Sequence, residues 1–404
     1  MRVPCAEHHI SKEQHEEHEG LGNYWISTSS FVLFATFVVK ASSEEENMAF
    51  DFVTNQEIIM AARRNLTQNV WHYLTGGAES ETTMRRNRFG LDSLAFRPRV
   101  LVDVSKIDTS TTVLGHKLTI PVMLAPIGSL QSITPEGGVA VAKAAAEFGT
   151  VNFVSSVTEP SLEEIAAASR NPKIFQLYVQ GDLKWVENLL SRVKRAGYSA
   201  LCLTVDTAHY GHRERQMMDR WLPPSRRGAG YEYRAGLTWE TLDLIKEMAG
   251  LPFILKGVAT AEDAALAVDH GVSAIYVSNH GGRQLDHGRA TIEMLPEIVD
   301  AVRGRAEILL DGGIVRGSDV LKAIALGARA VAIGKLQGWG LAAAGQAGLT
   351  RVLEILRDEI VTTMGLLGIT RLDQLTSTYL CKVQPMGPAH EMSAFPQMPG
   401  GRLP

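Results

Sequence analysis

The stretch Ser278-Asn279-His280-Gly281-Gly282-Arg283-Gln284-Leu285-Asp286 places an imidazole and a guanidinium three residues apart. A guanidinium fork grips a carboxylate through two parallel N–H···O bonds. An imidazole beside it can take a proton from the carbon or oxygen next to that carboxylate. A second guanidinium, Arg213, follows Asp206 by seven residues. Asp206 is a candidate to orient His280 and to stabilise its imidazolium. The plainer reading hydrogen-bonds His280 to a loop and pairs Arg283 with Asp286. Two glycine-rich turns, Asp311-Gly312-Gly313 and Gly334-Lys335, come later in the chain. Their bare backbone N–H groups suit a phosphate, with charge from Lys335 or Arg316. Tight turns with no ligand are the alternative.

These residues need a frame, and the hydrophobic pattern supplies one. Short apolar, β-branched runs recur at 121–125, 151–155, 174–178, 200–205, 253–256, 274–278, 307–310 and 330–333. Most lack in/out alternation, as strands buried on both faces do. Between and after them, amphipathic patterns predict helices at 137–148, 161–168, 184–196, 261–270, 292–303, 318–326 and 350–364. Gly149, Gly197, Gly271 and Gly327 stand just past four of these helices, where a left-handed C-cap belongs. Eight strand–helix units in about 250 residues predict an α/β fold of the (β/α)8 TIM-barrel class. A doubly wound open sheet is the alternative, but no GxGxxG turn follows the first strand. Residues 51–118 precede the barrel as an N-terminal extension of helices and a short antiparallel hairpin, placed to cap its N-terminal end. Chemistry in such a barrel is built at strand C-terminal ends. Polar residues stand there repeatedly: Ser155, Gln176, Thr204, Lys256, Ser278 and Asp311 among them.

The chain has 404 residues, 45% hydrophobic, with a net charge of −4. That balance excludes a nucleic-acid binder held by bulk positive charge. Three scattered cysteines form no disulfide framework and predict a reducing, cytoplasmic setting, with peripheral membrane association as the alternative. Residues 1–47 differ from the rest. Three basic residues stand against eight acidic ones there, a net −5, which leaves the remaining chain near +1. Residues 31–39 form an apolar run too short to span a bilayer. The segment reads as a disordered or artefactual extension, with Met48 as a natural start, or else as a signal-like segment. Residues 48–404 form the second region, the barrel domain. No metal is expected.

With these motifs in order, residues 51–375 resemble the FMN-dependent α-hydroxy acid oxidases and dehydrogenases, the glycolate oxidase, lactate oxidase and mandelate dehydrogenase group. The motif 278–286 carries most of the resemblance. Phe175-Gln176-Leu177-Tyr178, Leu203-Thr204-Val205-Asp206-Thr207, Leu255-Lys256-Gly257-Val258 and Asp311-Gly312-Gly313 add to it. The resemblance implies oxidation of an (S)-2-hydroxy acid to the 2-keto acid, with FMN as cofactor. His280 would be the base, and Arg213 and Arg283 would clamp the carboxylate. Tyr73 and Tyr178 would hydrogen-bond the substrate, and Lys256 would sit by the flavin ring edge. Pro126, Ile127, Gly128, Ser155, Gln176, Thr204 and Ser278 would contact the ring or ribityl chain. Asp311, Gly312, Gly313, Arg316, Gly334 and Lys335 would hold the ribityl chain and phosphate. The resemblance also implies a homotetramer.

Several residues depart from that family's pattern. Lys335 replaces an Arg, and Val315 replaces the first of two arginines, which leaves Arg316. The segment 219–237 is short, which predicts a more open lid. Val157 replaces an aromatic, and His209 and Tyr210 replace Arg and Leu. These departures point to a substrate bulkier than glycolate. Gly128 stands where an Ala accompanies oxidases and a Gly accompanies dehydrogenases, so electrons pass to oxygen or to a quinone or other carrier, with the lean toward a carrier. Other functional readings are an FMN barrel acting on a peptide-derived amine, a barrel binding a phosphorylated ligand without redox chemistry, and a non-catalytic subunit. Two free arginines argue for a free carboxylate and against the amine.

Overall fold

A computed structural model describes residues 52–226, 230–390 and 392–396. The expectations for residues 1–47 lie outside the described residues. Among the described residues twelve strands are formed: β1 (Leu94–Phe96), β2 (Thr111–Val113), β3 (His116–Leu118), β4 (Val122–Leu124), β5 (Asn152–Ser155), β6 (Lys173–Leu177), β7 (Ala200–Thr204), β8 (Phe253–Val258), β9 (Ala274–Val277), β10 (Glu307–Leu310), β11 (Ala330–Ile333) and β12 (Leu380–Lys382). Strands β4 to β11 close into one parallel barrel, with β11 pairing β4. All eight expected runs are barrel strands, so the TIM barrel is observed and the open sheet is not.

Side-chain period explains both the barrel and its site. Alternate residues of each strand face opposite sides. One set, including Met123, Phe153, Ile174, Cys202, Ile254, Tyr276 and Leu309, packs together as a separate apolar cluster inside the barrel. The other set, including Leu124, Val154, Leu203, Leu255 and Leu310, joins the larger core beneath the helices. Two residues beyond an interior apolar position, the same face turns polar. Phe153 is followed by Ser155, Ile174 by Gln176, Cys202 by Thr204, Ile254 by Lys256, Tyr276 by Ser278 and Leu309 by Asp311. The interior floor is therefore hydrocarbon and its C-terminal rim is polar. At the other end, Val113 and Leu118 of the β2–β3 hairpin join the interior cluster. The Leu114 N–H donates to Glu307 at 3.0 Å, so the hairpin caps the barrel floor as expected.

The helices match the predicted ones within a few residues, and Gly149, Gly197, Gly271 and Gly327 all adopt positive φ. The structure adds a helix at Trp239–Ala249, capped by the Thr238 side chain at its start and by a left-handed Gly250 at its end. The last predicted helix lies within Lys335–Leu367, which is broken at Ala344 and Gly345 into two pieces. Helices Asn55–Asn65, Gln68–Thr75 and Thr82–Asp92 precede the barrel. Among the described residues no helix is long and apolar enough to cross a membrane.

Candidate active site

The polar rim opens into a cavity of about 1350 Å³, part of it open to solvent. Its wall brings together Tyr73, Pro126, Ile127, Gly128, Tyr178, Arg213, Lys256, His280, Arg283, Asp311, Gly312, Gly313, Gly334 and Lys335. The remaining predicted ring contacts form a buried row beside it. Ser155 donates to Gln176 Oε1 at 2.8 Å, and Gln176 Nε2 donates to Thr204 at 2.9 Å. The in-register pairing of Ser155 with Gln176 across β5 and β6 makes the row possible.

His280 follows β9 in a left-handed conformation, φ 58°, and Gly281 and Gly282 continue the left-handed turn. A strained backbone at a bulky residue persists only where its surroundings enforce it. Here the His280 N–H donates to Ser278 Oγ, and Nδ1 lies 3.0 Å from Asp206 Oδ1. Asp206 fits because Gly257 lies against it: a Cβ on Gly257 would stand 2.7 Å from the Asp206 Cβ. Burial pushes the His280 pKa down, with Lys256 acting in the same sense, and Asp206 only partly offsets this. Burial would raise Asp206, but the charges of His280 and Lys256 outweigh it and hold the carboxyl below its usual range. The pair is therefore a neutral imidazole beside a carboxylate. With Nδ1–H given to Asp206, Nε2 is the basic nitrogen, and it lies 3.4 Å from the Tyr178 hydroxyl. Burial raises Tyr178, so its hydroxyl stays protonated.

The two arginines are locked by their neighbours. Arg213 donates through Nε to the Arg283 carbonyl at 3.0 Å, to Tyr210 at 2.7 Å and to Gln284 at 3.0 Å. Arg283 donates to the Gly76 carbonyl at 2.7 Å. Each guanidinium carries five N–H donors, so both keep donors for an anion. Burial, helped by the like charge of Arg213, lowers the Arg283 pKa to about 10. A buried cation, Arg213, beside a half-buried one, Arg283, marks a place for a carboxylate. Arg283 does not pair with Asp286. That carboxylate instead accepts from Ser80 at 2.8 Å and from the Thr83 N–H at 2.7 Å, at the start of helix Thr82–Asp92. Tyr73, from helix Gln68–Thr75, donates to the Gly128 carbonyl at 2.8 Å.

On β8, between the strands that carry Asp206 and His280, Lys256 donates to Ser278 at 3.0 Å and lies 3.7 Å from Asp311. These carboxylates hold its pKa above the ordinary value against the opposing effect of burial. The second oxygen of Asp311 is buried and has no hydrogen-bond partner. Buried polar atoms are rarely left so, and Asp311 is one of the residues that line the cavity. Gly312 and Gly313 have φ of 103° and 80°, and Gly334 begins helix Lys335–Leu367. Bare turns beside a helix N-terminus suit a phosphate.

One expectation is corrected. Arg316 does not reach the cavity: its guanidinium pairs with Glu359 at 2.6 Å and donates to the Ala394 carbonyl. Arg316 stands at the N-cap position of helix Gly317–Ala325 and its side chain ties that helix to the C-terminal segment, so the charge at the glycine-rich turns comes from Lys335. The short segment after β7 reaches the cavity mouth, which stays partly open to solvent. Its Ser225 N–H donates to Ser129 Oγ at 2.9 Å, and Arg226 and Arg234 line the cavity. These two arginines, with Asn87 and Met84 from helix Thr82–Asp92, escape the sequence reading. The arginines sit in irregular chain with no periodicity, and only the basic residues after Pro223-Pro224-Ser225 could have signalled them.

Residues 62–382 match the family model described as FMN-dependent dehydrogenase. The chain is 42% identical over 352 residues to glycolate oxidase 1 of Zea mays, covering 81% of this chain and 95% of that one. It is 41% identical over 347 residues to L-lactate oxidase of a Nostoc species, covering 79% and 95%. Among solved structures, mandelate oxidase superposes with a TM-score of 0.77 at 38% identity, over 83% of this chain and all of that one. Another structure of that enzyme, with (S)-4-hydroxymandelic acid, gives the same TM-score at 37% identity.

Proposed function

The chain belongs to the FMN-dependent dehydrogenase family, and from that premise we propose that it oxidises a 2-hydroxy acid to the 2-keto acid with FMN. The observation that carries the proposal is the His280–Asp206 pair facing two locked guanidiniums across one cavity. The residues present fit FMN. The unpartnered Asp311 oxygen suits a ribityl hydroxyl, and the Gly313 and Gly334 turns with Lys335 suit the phosphate. The Ser155–Gln176–Thr204 row, Ser278 and Lys256 would face the polar edge of the ring, and Pro126, Ile127 and Gly128 its apolar face. FMN, when bound, supplies the two-electron acceptor for the oxidation.

The protein's own part is to bind, orient and move a proton. Arg213 and Arg283 bind the substrate carboxylate through their remaining N–H donors. That places the α-carbon and its hydroxyl beside His280 and Tyr178. Tyr178, kept protonated, donates to the substrate oxygen. His280 takes one proton at Nε2, from the α-carbon or the hydroxyl, and becomes an imidazolium held by Asp206. Lys256, on the strand between those of Asp206 and His280, would add a fixed positive charge at the ring edge, where negative charge gathers during oxidation. Oxygen or a quinone-type carrier takes the electrons away. Val157 in place of an aromatic, with Ser225 beside it, leaves space for a side chain larger than that of glycolate. The test is the visible spectrum of the purified protein, followed by anaerobic addition of a panel of 2-hydroxy acids. Flavin bands that bleach with at least one acid support the proposal, and a colourless protein that takes up no FMN would overturn it.

A further inference from the structure

We propose that Tyr210 is a positioning residue of the carboxylate clamp: its hydroxyl, oriented by Gln216, fixes the Arg213 guanidinium so that the substrate meets a clamp already formed. This rests on the hydroxy-acid reading above and deepens it. Tyr210 is half-buried and lines the cavity, and it stands where the family's pattern has Leu.

Arg213 is buried and held at each of its three nitrogens. Nε donates to the Arg283 carbonyl at 3.0 Å, Nη1 to the Tyr210 hydroxyl at 2.7 Å and Nη2 to Gln284 Oε1 at 3.0 Å. One N–H then remains on each terminal nitrogen, a pair that a carboxylate can accept. The guanidinium also lies 4.0 Å from the centre of the Tyr210 ring, so hydroxyl and aromatic ring both bear on it. A clamp ordered before binding loses less side-chain freedom when the substrate arrives. Tyr210 therefore acts on affinity for the carboxylate more than on the proton transfer at His280.

Tyr210 can serve as a support because it is itself fixed. Its hydroxyl donates to Gln216 Oε1 at 3.3 Å, from buried Gln216 on helix Glu214–Met218. That commits the hydroxyl proton to Gln216 and leaves a lone pair for Arg213, which has only donors to offer. The backbone on either side of Tyr210 is tied to Gln284. Gln284 Nε2 donates to the His209 carbonyl at 2.7 Å, and the Gly211 N–H donates to Gln284 Oε1 at 3.3 Å. A Cβ on Gly211 would stand 2.3 Å from the Arg283 carbonyl oxygen, so the loops after β7 and β9 meet backbone to backbone there. Gln284 Nε2 also donates to the Asp206 carbonyl at 3.0 Å, which sets the clamp and the His280–Asp206 pair in one frame.

The test uses the flavin-loaded full chain, the panel acid with the highest kcat/KM, and the 2-keto acid made from it as a ligand that needs no turnover. Tyr210→Phe removes the hydroxyl and keeps the ring. It should raise KM and the dissociation constant of the keto acid about tenfold, as loss of a hydrogen bond to a charged group does. Its kcat should change less than about threefold, because the loss falls on binding. Tyr210→Leu, which removes the ring as well, should bind more weakly still. Gln216→Met should weaken binding in the same direction, and should add nothing in a Tyr210→Phe background, because Gln216 acts through that hydroxyl. Unchanged KM and keto-acid binding in a Tyr210→Phe protein that keeps its flavin would overturn the inference. So would a loss confined to kcat, or additive effects of the two substitutions. Any of these, with substrate still bleaching the unmodified chain, would leave the parent reading standing, whereas failure of every panel acid to bleach that chain would remove both.

Discussion

His280 makes its chemistry testable through pH. Its imidazole must be neutral to take a proton, and burial with Lys256 holds its pKa below the ordinary 6.5. Activity should therefore persist into mildly acid solution, with the acid limb of kcat/KM falling below pH 6.5. Asp206 favours the imidazolium, so Asp206→Asn should move that limb to still lower pH. It should also reduce kcat by about 10²-fold or more while KM changes less. A pH–rate profile of both proteins checks this, and an unmoved limb would deny that Asp206 acts through His280. At this scale the sequence was informative where chemistry is local. The spacing of His280 and Arg283 sits within one loop, and Asp206 lies two residues past Thr204 on the inward parity. Arg316 was misplaced because its partner, Glu359, is 43 residues away and only folding brings them together.

Elements position these groups through their ends and turns, and two of those ends are open to experiment. The Asp286 carboxylate holds the start of helix Thr82–Asp92 through Ser80, Thr82 and Thr83. Those hydrogen bonds outweigh the effect of burial and lower its pKa from 3.8 to about 2. A depressed folded-state pKa stabilises the protein above the unfolded value and is lost as pH falls through the folded one. Asp286→Asn should therefore cost about 2 kcal/mol at pH 7, and the penalty should fade between about pH 4 and pH 2. Urea unfolding across that window measures it, and a penalty independent of pH would refute the role. The turn after β4 gives the second experiment. A Cβ on Gly128 would stand 2.9 Å from the Val157 side chain and 3.4 Å from that of Ser225. Gly128→Ala must shift that wall, and the lean toward a carrier makes the unmodified chain the slower of the two with oxygen. Stopped-flow mixing of the reduced proteins with oxygen checks the order of the rates, and a faster reaction for the unmodified chain would reverse it. Strand placement was legible because period-two burial in a closed barrel leaves eight apolar runs. The helix Trp239–Ala249 and the cavity-lining segment before it were not, because irregular chain between β7 and β8 carries no period to read.

As a whole molecule, residues 52–396 contain one barrel, its floor hairpin and the helices that bring Tyr73 and Asn87 to the mouth. The described residues that line the cavity all lie in that span. A chain beginning at Met48 should therefore take up flavin and oxidise substrate at the rate of the full-length chain, as absorbance and steady-state assays would report. Loss of flavin or activity on truncation would assign the first 47 residues a working part. The central claim is that His280 is the proton acceptor in a flavin-linked oxidation of a hydroxy acid. The most direct measurement mixes substrate anaerobically with the flavin-loaded protein and follows the flavin absorbance, for the unmodified chain and for His280→Ala. The unmodified chain should bleach rapidly, while His280→Ala should keep its flavin and bleach at least about 10²–10⁴-fold more slowly. Near-equal bleaching rates in the two proteins would contradict the account.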